Sequence, residues 1–323
     1  MKKNAKTLRK HVYAHAMWRT GSTALAQCFL RSTDYLVFYE PFHECCGSLW
    51  HIDNVRKNMS HSTNFLGHPV WTGGYFDSYK LIDPKTGQPL YALYDPASAV
   101  ADVYRRPSQR SLTYIAACKR VARAQGKAAF FGFCRSGFQQ RGLPTGDDTT
   151  GFYLWRDPAA QFQSYNWPDN TYFLPKTIAQ LCYAPELRRV LRGLLGRHRA
   201  KLAVHFVEAR FLKEQGRKDL LLKFTALLTE EERFAVFYLS HYVTGQIAQE
   251  QGIAAFSMDE LALDPGQHAK FETAFGVSLA TLRQNDRQID LADLKRFRVI
   301  QDRVEDAVAK ASIDFRPLSA RFE

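Results

Sequence analysis

The apolar positions along the chain predict strands that alternate with helices. Five runs have the length and the β-branched, aromatic or small residues of buried strands, and they cover 11–17, 35–39, 128–134, 150–155 and 253–258. Apolar residues at helical spacing predict helices over 24–30, 108–123, 185–200, 220–228 and 230–251. Because strands alternate with helices, we expect an α/β fold in which helices cover both faces of a parallel sheet.

The domain organisation predicted from the sequence is simple. No repeat, low-complexity segment or linker divides the 323 residues, so we expect a single domain over 1–323. The irregular stretch from about 45 to 125 is expected to be a ligand-binding insertion, since loops at the carboxyl ends of strands carry specificity. Its aromatic residues either stack on that ligand or fill a small core of the loop, and they are Trp50, Trp71, Tyr75, Phe76 and Tyr79.

Charge and cysteine content indicate which partners and which cellular compartment the protein has. The net charge of +12 fits an anionic partner, such as a nucleotide or an acidic glycan, and equally a solvated basic surface. Six scattered cysteines without a C-x-x-C pair are typical of reduced thiols, and no apolar run resembles a membrane span or a secretory signal. We therefore expect a cytoplasmic protein without an integral membrane segment. The sequence His-Glu-Cys-Cys at 43–46 lacks a second ligand pair, so we expect no metal.

A glycine-containing turn joins the first predicted strand to the helix after it. Its sequence is Arg-Thr-Gly-Ser-Thr at 19–23. Backbone N–H groups, hydroxyls and a cation at the start of a helix are the groups that bind a phosphate or phosphosulfate, and the helix dipole favours an anion there. An ordinary strand-to-helix turn with a Ser or Thr cap is the alternative. The turn has neither the length nor the lysine of the G-x-x-x-x-G-K-[ST] pattern of ATP and GTP users.

A second candidate phosphate site follows a later strand. Arg156 comes directly after the strand predicted at 150–155, and Asp157 and Pro158 predict the N-cap and first position of a helix. Ser164 lies nearly two turns into that helix, from where its hydroxyl and the guanidinium of Arg156 can bind one phosphate. A buried Arg–Asp pair with an unrelated serine is the alternative.

Together these segments make the chain resemble the sulfotransferases that use 3′-phosphoadenosine-5′-phosphosulfate (PAPS). The family segment R-[ST]-G-[ST]-[ST] matches RTGST at 19–23, and the segment R-[DN]-P-x5-S matches RDPAAQFQS at 156–164. A looser likeness is FSMDELALDP at 256–265. Trp18 stands where the family often has proline, and Arg19 where its cytosolic branch has lysine, so the chain looks more like the carbohydrate-type and bacterial branches.

The resemblance implies the P-loop nucleoside-kinase-like sulfotransferase fold. It also implies PAPS as sulfuryl donor and adenosine-3′,5′-bisphosphate (PAP) as product. The residues it assigns to the 5′-phosphosulfate are Arg19, Thr20, Gly21, Ser22, Thr23 and Ala24. The residues it assigns to the 3′-phosphate are Arg156 and Ser164.

Sulfuryl transfer needs a base for the acceptor and positive charge for the leaving oxygen. Arg19 is expected to stabilise the leaving oxygen, because arginine stays protonated and cannot act as a base. Glu40 is the predicted base, since it ends the second strand at the sheet edge where the turn lies. Carbohydrate-type relatives carry a candidate base in a similar Glu-Pro setting. The alternatives are His43, Glu44, or a surface carboxylate at Glu40 without a catalytic role.

We therefore expect an enzyme that transfers a sulfuryl group from PAPS to an acceptor hydroxyl. A saccharide is the first expectation for the acceptor, with a lipid or small phenol open, and no nucleic-acid partner is expected. One rival is an ATP-dependent phosphoryl-transfer enzyme, which the missing lysine disfavours. The other is a non-catalytic polyanion-binding protein, which would bind with a steep salt dependence and no preference for a 3′-phosphate. Neither rival accounts for the spacing of Arg156 and Ser164. The oligomeric state does not follow from the sequence.

Overall fold

Five apolar runs pair side by side into one parallel sheet in the computed structural model. The strands are β1 His11–Ala16, β2 Tyr35–Tyr39, β3 Ala128–Phe133, β4 Thr149–Trp155 and β5 Ala254–Ser257. They lie in the order β2-β3-β1-β4-β5, so β1 is the central strand. The expected α/β class and its five strands are confirmed, since each observed end lies within one residue of the predicted one.

The structure describes residues 9–50, 52–53, 76–95, 107–134, 137–138, 140–143, 145–166, 173–208, 214–282 and 290–313. Its helices in this part of the chain are α1 Ser22–Arg31, α2 Gln109–Ala124, α3 Pro158–Tyr165, α4 Phe173–Tyr183, α5 Pro185–Leu195, α6 Arg197–Glu208, α7 Glu214–Ala226, α8 Glu230–Glu250, α9 Met258–Leu263, α10 Pro265–Phe275 and α11 Leu291–Lys310. None of the helices so described combines the length and the apolar character that a bilayer span requires.

The chain divides into two compact units. The first comprises Met1–Trp155 and Gln251–Gln284, and it holds the sheet with α1, α2, α9 and α10. The second comprises Arg156–Glu250 and Asn285–Glu323, and its described part is helical.

Helices α1 and α10 cover one face of the sheet through aromatic contacts. Phe29 of α1 stacks on Phe130 of β3 with ring centroids 3.9 Å apart, and it meets Phe271 of α10 edge-on at 6.1 Å. Phe152 of β4 meets the same Phe271 at 5.4 Å. Because adjacent strand residues point to opposite faces, Phe131 faces the other side of the sheet.

Helix α2 packs into a second cluster, on the face to which Phe131 points. Tyr13, Phe38 and Phe131 of the sheet belong to this cluster, together with α2 residues. Phe76 and Tyr79 are also buried there, so they fill the core, which is the second of the two roles predicted for them.

The other aromatic residues of the 45–125 stretch have different settings. Trp50 is 69% exposed, so it is not part of that core. Trp71 and Tyr75 lie outside the described residues.

A buried ion pair ties segment 76–95 to α2. The Asp83 carboxylate accepts two hydrogen bonds from Arg120, at 3.0 Å from Nε and 2.8 Å from Nη2, and a third from Thr86 Oγ1 at 3.0 Å. The guanidinium of Arg120 lowers the pKa of Asp83 to about 2. Because two-pronged pairing of this kind fixes both partners, part of the 45–125 stretch is held firmly against a helix.

Aromatic residues of three helices form the core of the second unit. Phe234 of α8 stacks on Phe297 of α11 at 4.2 Å, and Phe162 of α3 contacts both rings at 5.1 and 5.6 Å. The single helix predicted over 185–200 is wrong. The chain forms α5 and α6 instead, because Gly196 takes φ 77° and ψ 155°, outside the helical region.

Two buried histidines lie on the central strand. His11 Nδ1 accepts the backbone N–H of Ala129 at 2.8 Å, and burial, aided by Arg123 and Lys119, lowers its pKa to about 4. His15 stacks on Phe133 with centroids 5.4 Å apart, and burial lowers its pKa to about 3. Both imidazoles are therefore neutral in the folded protein at neutral pH.

We predict that acid destabilises the fold through these histidines. Each has a folded pKa below its unfolded value of 6.5, so the stability linked to it is present above pH 6.5 and is lost as pH falls toward about 4 for His11 and about 3 for His15. Between pH 7 and pH 5 the expected loss is about 2 kcal/mol for His11. Urea unfolding at several pH values measures it, with His11→Gln expected to flatten the profile. An identical pH profile for wild type and His11→Gln would contradict the prediction.

Candidate active site

The predicted anion-binding turn lies where connections leave the sheet in opposite directions. From β1 the chain runs through α1 to β2, which lies on one side of β1 in the sheet. From β4 the chain continues to β5, which lies on the opposite side of β1. In open α/β sheets the carboxyl ends of two such neighbouring strands border a crevice that binds ligands. The topology therefore places the turn 19–23 beside the natural crevice between β1 and β4.

The turn has a left-handed backbone at two positions. Arg19 has φ 68° and Gly21, the N-cap of α1, has φ 94°. A side chain at Gly21 would place its Cβ 2.9 Å from Met258 Cγ, so only glycine fits. Thr20 is buried and its hydroxyl donates to Met17 O at 2.9 Å, so this hydroxyl holds the turn in shape.

Helix α1 begins with backbone donors directed at the turn. Ala24 N and Leu25 N donate to Gly21 O at 3.0 and 3.2 Å, so the N–H group of Ala24 is used within the helix. The N–H groups of Ser22 and Thr23 precede these bonds and have no acceptor inside the helix. No acidic residue occupies the first turn of α1, and the helix dipole adds positive potential there.

The hydroxyls of Ser22 and Thr23 meet a tyrosine and a cysteine that the sequence analysis missed. Ser22 Oγ and Thr23 Oγ1 lie 2.8 and 2.9 Å from Tyr39 OH. Cys134 Sγ lies 3.1 Å from Ser22 Oγ and 2.9 Å from Tyr39 OH. Their positions in the sequence could have identified both residues as candidates for the site, since each lies at the carboxyl end of a predicted strand.

Tyr39 reaches α1 across the neighbouring strand. Tyr39 of β2 pairs with Gly132 of β3, and a Cβ at Gly132 would lie 2.5 Å from Tyr39 Cδ2. The ring of Tyr39 therefore occupies the space that a side chain at position 132 would need, and glycine leaves this space open.

Glu40, the predicted base, has a strained backbone. Its φ is 46°, and with Arg19 it accounts for two of the three non-glycine residues with positive φ in the described part of the chain. Its N–H donates to Gly132 O at 2.8 Å, and its carbonyl accepts from His43 N at 2.8 Å and from Cys46 Sγ at 3.4 Å. Backbone strain held by surrounding contacts clusters at functional sites.

His43 faces the carboxylate of Glu40. Its Nδ1 accepts the N–H of Cys45 at 3.1 Å, which places the ring proton on Nε2. Nε2 lies 3.6 Å from Glu40 Oε2, and the two side chains are 22% and 14% exposed. The geometry favours His43 as a residue that orients Glu40. Glu44 begins the short 3₁₀ turn Glu44–Gly47, and its side chain lies outside the described residues.

Arg156 and Ser164 belong to the second unit, at the start and end of α3. The predicted cap is confirmed, because Asp157 Oδ1 accepts Ala160 N at 2.9 Å and Pro158 opens the helix. Arg156 and Ser164 are both buried. The backbone carbonyl of Arg156 lies 3.1 Å from His241 Nε2, and burial lowers the pKa of His241 to about 4.

The structure thus gathers the turn 19–23 and Glu40 with His43 in the first unit, and Arg156 with Ser164 in the second. Among the residues it describes, no group of three or more His, Cys, Asp or Glu side chains is arranged to hold a metal ion. Comparisons with protein-family models, with curated proteins and with solved structures found no match to this chain.

Proposed function

We propose that this protein is a sulfotransferase that moves a sulfuryl group from PAPS to an acceptor hydroxyl, with a saccharide as the acceptor. The observation that carries the proposal is the turn at the end of the central strand. Its left-handed Gly21 is the N-cap of α1, so the helix begins beside the crevice. The hydroxyls of Ser22 and Thr23 contact Tyr39, and Glu40 is the next residue in the chain.

The donor set fits a singly or doubly charged oxyanion. The first N–H groups of α1, the hydroxyls of Ser22 and Thr23 and the guanidinium of Arg19 supply donors and positive charge together. The assignment of the 3′-phosphate to Arg156 and Ser164 rests on the sequence resemblance, and the burial of both residues is compatible with a desolvated contact.

The chain's own residues then take three roles. PAPS supplies a sulfuryl group whose bond to the 5′-phosphate oxygen breaks as a bond to the acceptor oxygen forms. Glu40 accepts the proton of the acceptor hydroxyl, and His43 Nε2, which lies 3.6 Å from one oxygen of this carboxylate, is its neighbouring imidazole. Arg19 and the N–H groups of α1 balance the charge that remains on the departing phosphate oxygen.

The P-loop nucleoside-kinase-like form of the fold and a cytoplasmic location are part of the same proposal. The central position of β1 and the turn at its carboxyl end support the first. Six cysteines without a disulfide support the second.

A polyanion-binding function is the second candidate, because α5 and α6 expose several cations. Arg189 and Arg192 of α5 and Arg197 and Lys201 of α6 are all exposed. Such a surface would bind an anionic chain by charge alone, with a steep dependence on salt.

Calorimetric titration with PAP tests the donor assignment. We expect PAP to bind at least about tenfold more tightly than adenosine-5′-monophosphate or ATP, because a 3′-phosphate adds charge-assisted hydrogen bonds. Arg156→Ala and Ser164→Ala should weaken PAP binding, by about tenfold or more for the arginine, while the exposed control Arg189→Ala should not. Equal binding of ATP, or no binding of PAP, would contradict the donor assignment and favour phosphoryl transfer from ATP or polyanion binding instead.

Replacement of the base tests the catalytic assignment. We expect Glu40→Gln to lower sulfuryl transfer by about 10²- to 10⁴-fold with PAP binding unchanged, because the amide cannot accept the acceptor proton. Transfer from labelled PAPS to a panel of saccharides, lipids and phenols measures the rate, beside Glu44→Gln as the comparison. Near-normal turnover of Glu40→Gln would reject the assignment.

A further inference from the structure

Four polar groups pack together beneath the anion-binding turn. They are the hydroxyls of Ser22 and Thr23, the phenol of Tyr39 and the thiol of Cys134. Tyr39 is 2% exposed and Cys134 is 3% exposed, so this network is shielded from water. In a buried network each hydrogen is directed at one of the few polar atoms within reach.

The hydrogens in this network can be counted. Among the residues that the structure describes, Tyr39 OH has three close partners but only one hydrogen, so it can donate to one of them and accept from the other two. Burial raises the pKa of Tyr39 well above its ordinary range, so the phenol keeps its hydrogen at working pH. In this arrangement at least one of the two loop hydroxyls donates to Tyr39.

A different arrangement is needed if both loop hydroxyls donate to a bound anion. Each hydroxyl oxygen can still accept a hydrogen bond from the buried phenol or thiol. Cys134 Sγ is close to Ser22 Oγ, and Tyr39 OH is close to both hydroxyls. Among the contacts described above, the assignment that supplies both oxygens has the thiol donating to Ser22 and the phenol donating to Thr23.

We propose that Tyr39 and Cys134 are positioning residues that turn the hydroxyl hydrogens of Thr23 and Ser22 toward the bound sulfuryl or phosphoryl oxygens. This inference rests on the proposed function, since it concerns the same anion site. Neither residue touches the ligand; each acts through the hydroxyl that it supports.

Tyr39 is well placed for this role because its ring is held on several sides. Its backbone carbonyl accepts the hydroxyl of Tyr79 at 3.0 Å, and its ring lies in the space left by Gly132. Glu40 follows it directly in the chain. Loss of the phenol hydrogen therefore removes a donor without removing the packing of the ring.

The chain offers a matched control on the same strand. Tyr35 lies four residues before Tyr39 on β2, and its buried hydroxyl donates to Phe275 O at 2.8 Å. Tyr35→Phe and Tyr39→Phe each delete one buried phenol donor, and Tyr39→Phe also deletes the acceptor of its other contacts, so it should cost more stability than Tyr35→Phe. Only Tyr39→Phe changes the support of the loop.

The experiment is calorimetric titration of the full chain with PAP, whose 5′-phosphate occupies the proposed site. We expect Tyr39→Phe and Cys134→Ala each to weaken PAP binding by about five- to tenfold, the effect of one hydrogen bond. Tyr35→Phe should bind as wild type does. Cys134→Ser should restore binding to within about twofold of wild type, because serine again offers a donor to Ser22.

The outcomes separate this inference from the proposed function. If wild type does not bind PAP, the proposed function fails and the inference falls with it. If wild type binds PAP and both Tyr39→Phe and Cys134→Ala match Tyr35→Phe, the inference alone is overturned. If Cys134→Ser binds as poorly as Cys134→Ala, the thiol fills space and does not act as a donor. Should Tyr39→Phe fail to fold, the comparison of Cys134→Ala with Cys134→Ser decides.

Discussion

Gly21 holds the backbone between β1 and α1 at φ 94°, and a side chain there would collide with Met258. This left-handed step turns the chain from the central strand into the helix within a few residues. It sets where α1 begins, and hence where the N–H groups of Ser22 and Thr23 point. The hydroxyls of the same residues are then close enough to meet Tyr39. The position of the candidate anion site therefore follows from one turn.

A second close approach joins that turn to the candidate base. Gly132 of β3 leaves room for the ring of Tyr39, so a residue of β2 reaches the start of α1 across an intervening strand. Glu40, next in the chain, takes a left-handed φ of 46° with its N–H and carbonyl both bonded. These contacts hold a strained carboxylate and the turn 19–23 at the same edge of the sheet, so the proposed base and the proposed anion site lie together.

The sequence was sufficient for features that depend on local patterns. The five strands follow from apolar runs, and the cap at Asp157 follows from the Asp-Pro pair before α3. Features that depend on the order of strands in the sheet could not be predicted from the sequence. The contact of Tyr39 with α1 is one of them, because it requires β3, with Gly132, to lie between β2 and β1. The break at Gly196 was missed because an isolated glycine inside a helical pattern does not by itself predict a helix end. Whether Phe76 would be core or ligand-facing was left open, because only the packing against α2 decides it.

The most direct test of the central claim is an amide NMR titration of the ¹⁵N-labelled protein with PAP, beside adenosine as the phosphate-free control. The account predicts saturable shifts of the Gly21, Ser22 and Thr23 amides with PAP and none with adenosine, because these N–H groups would bind the 5′-phosphate. If PAP binds while these amides stay unmoved, or if PAP does not bind, the turn is not the anion site and the account is contradicted.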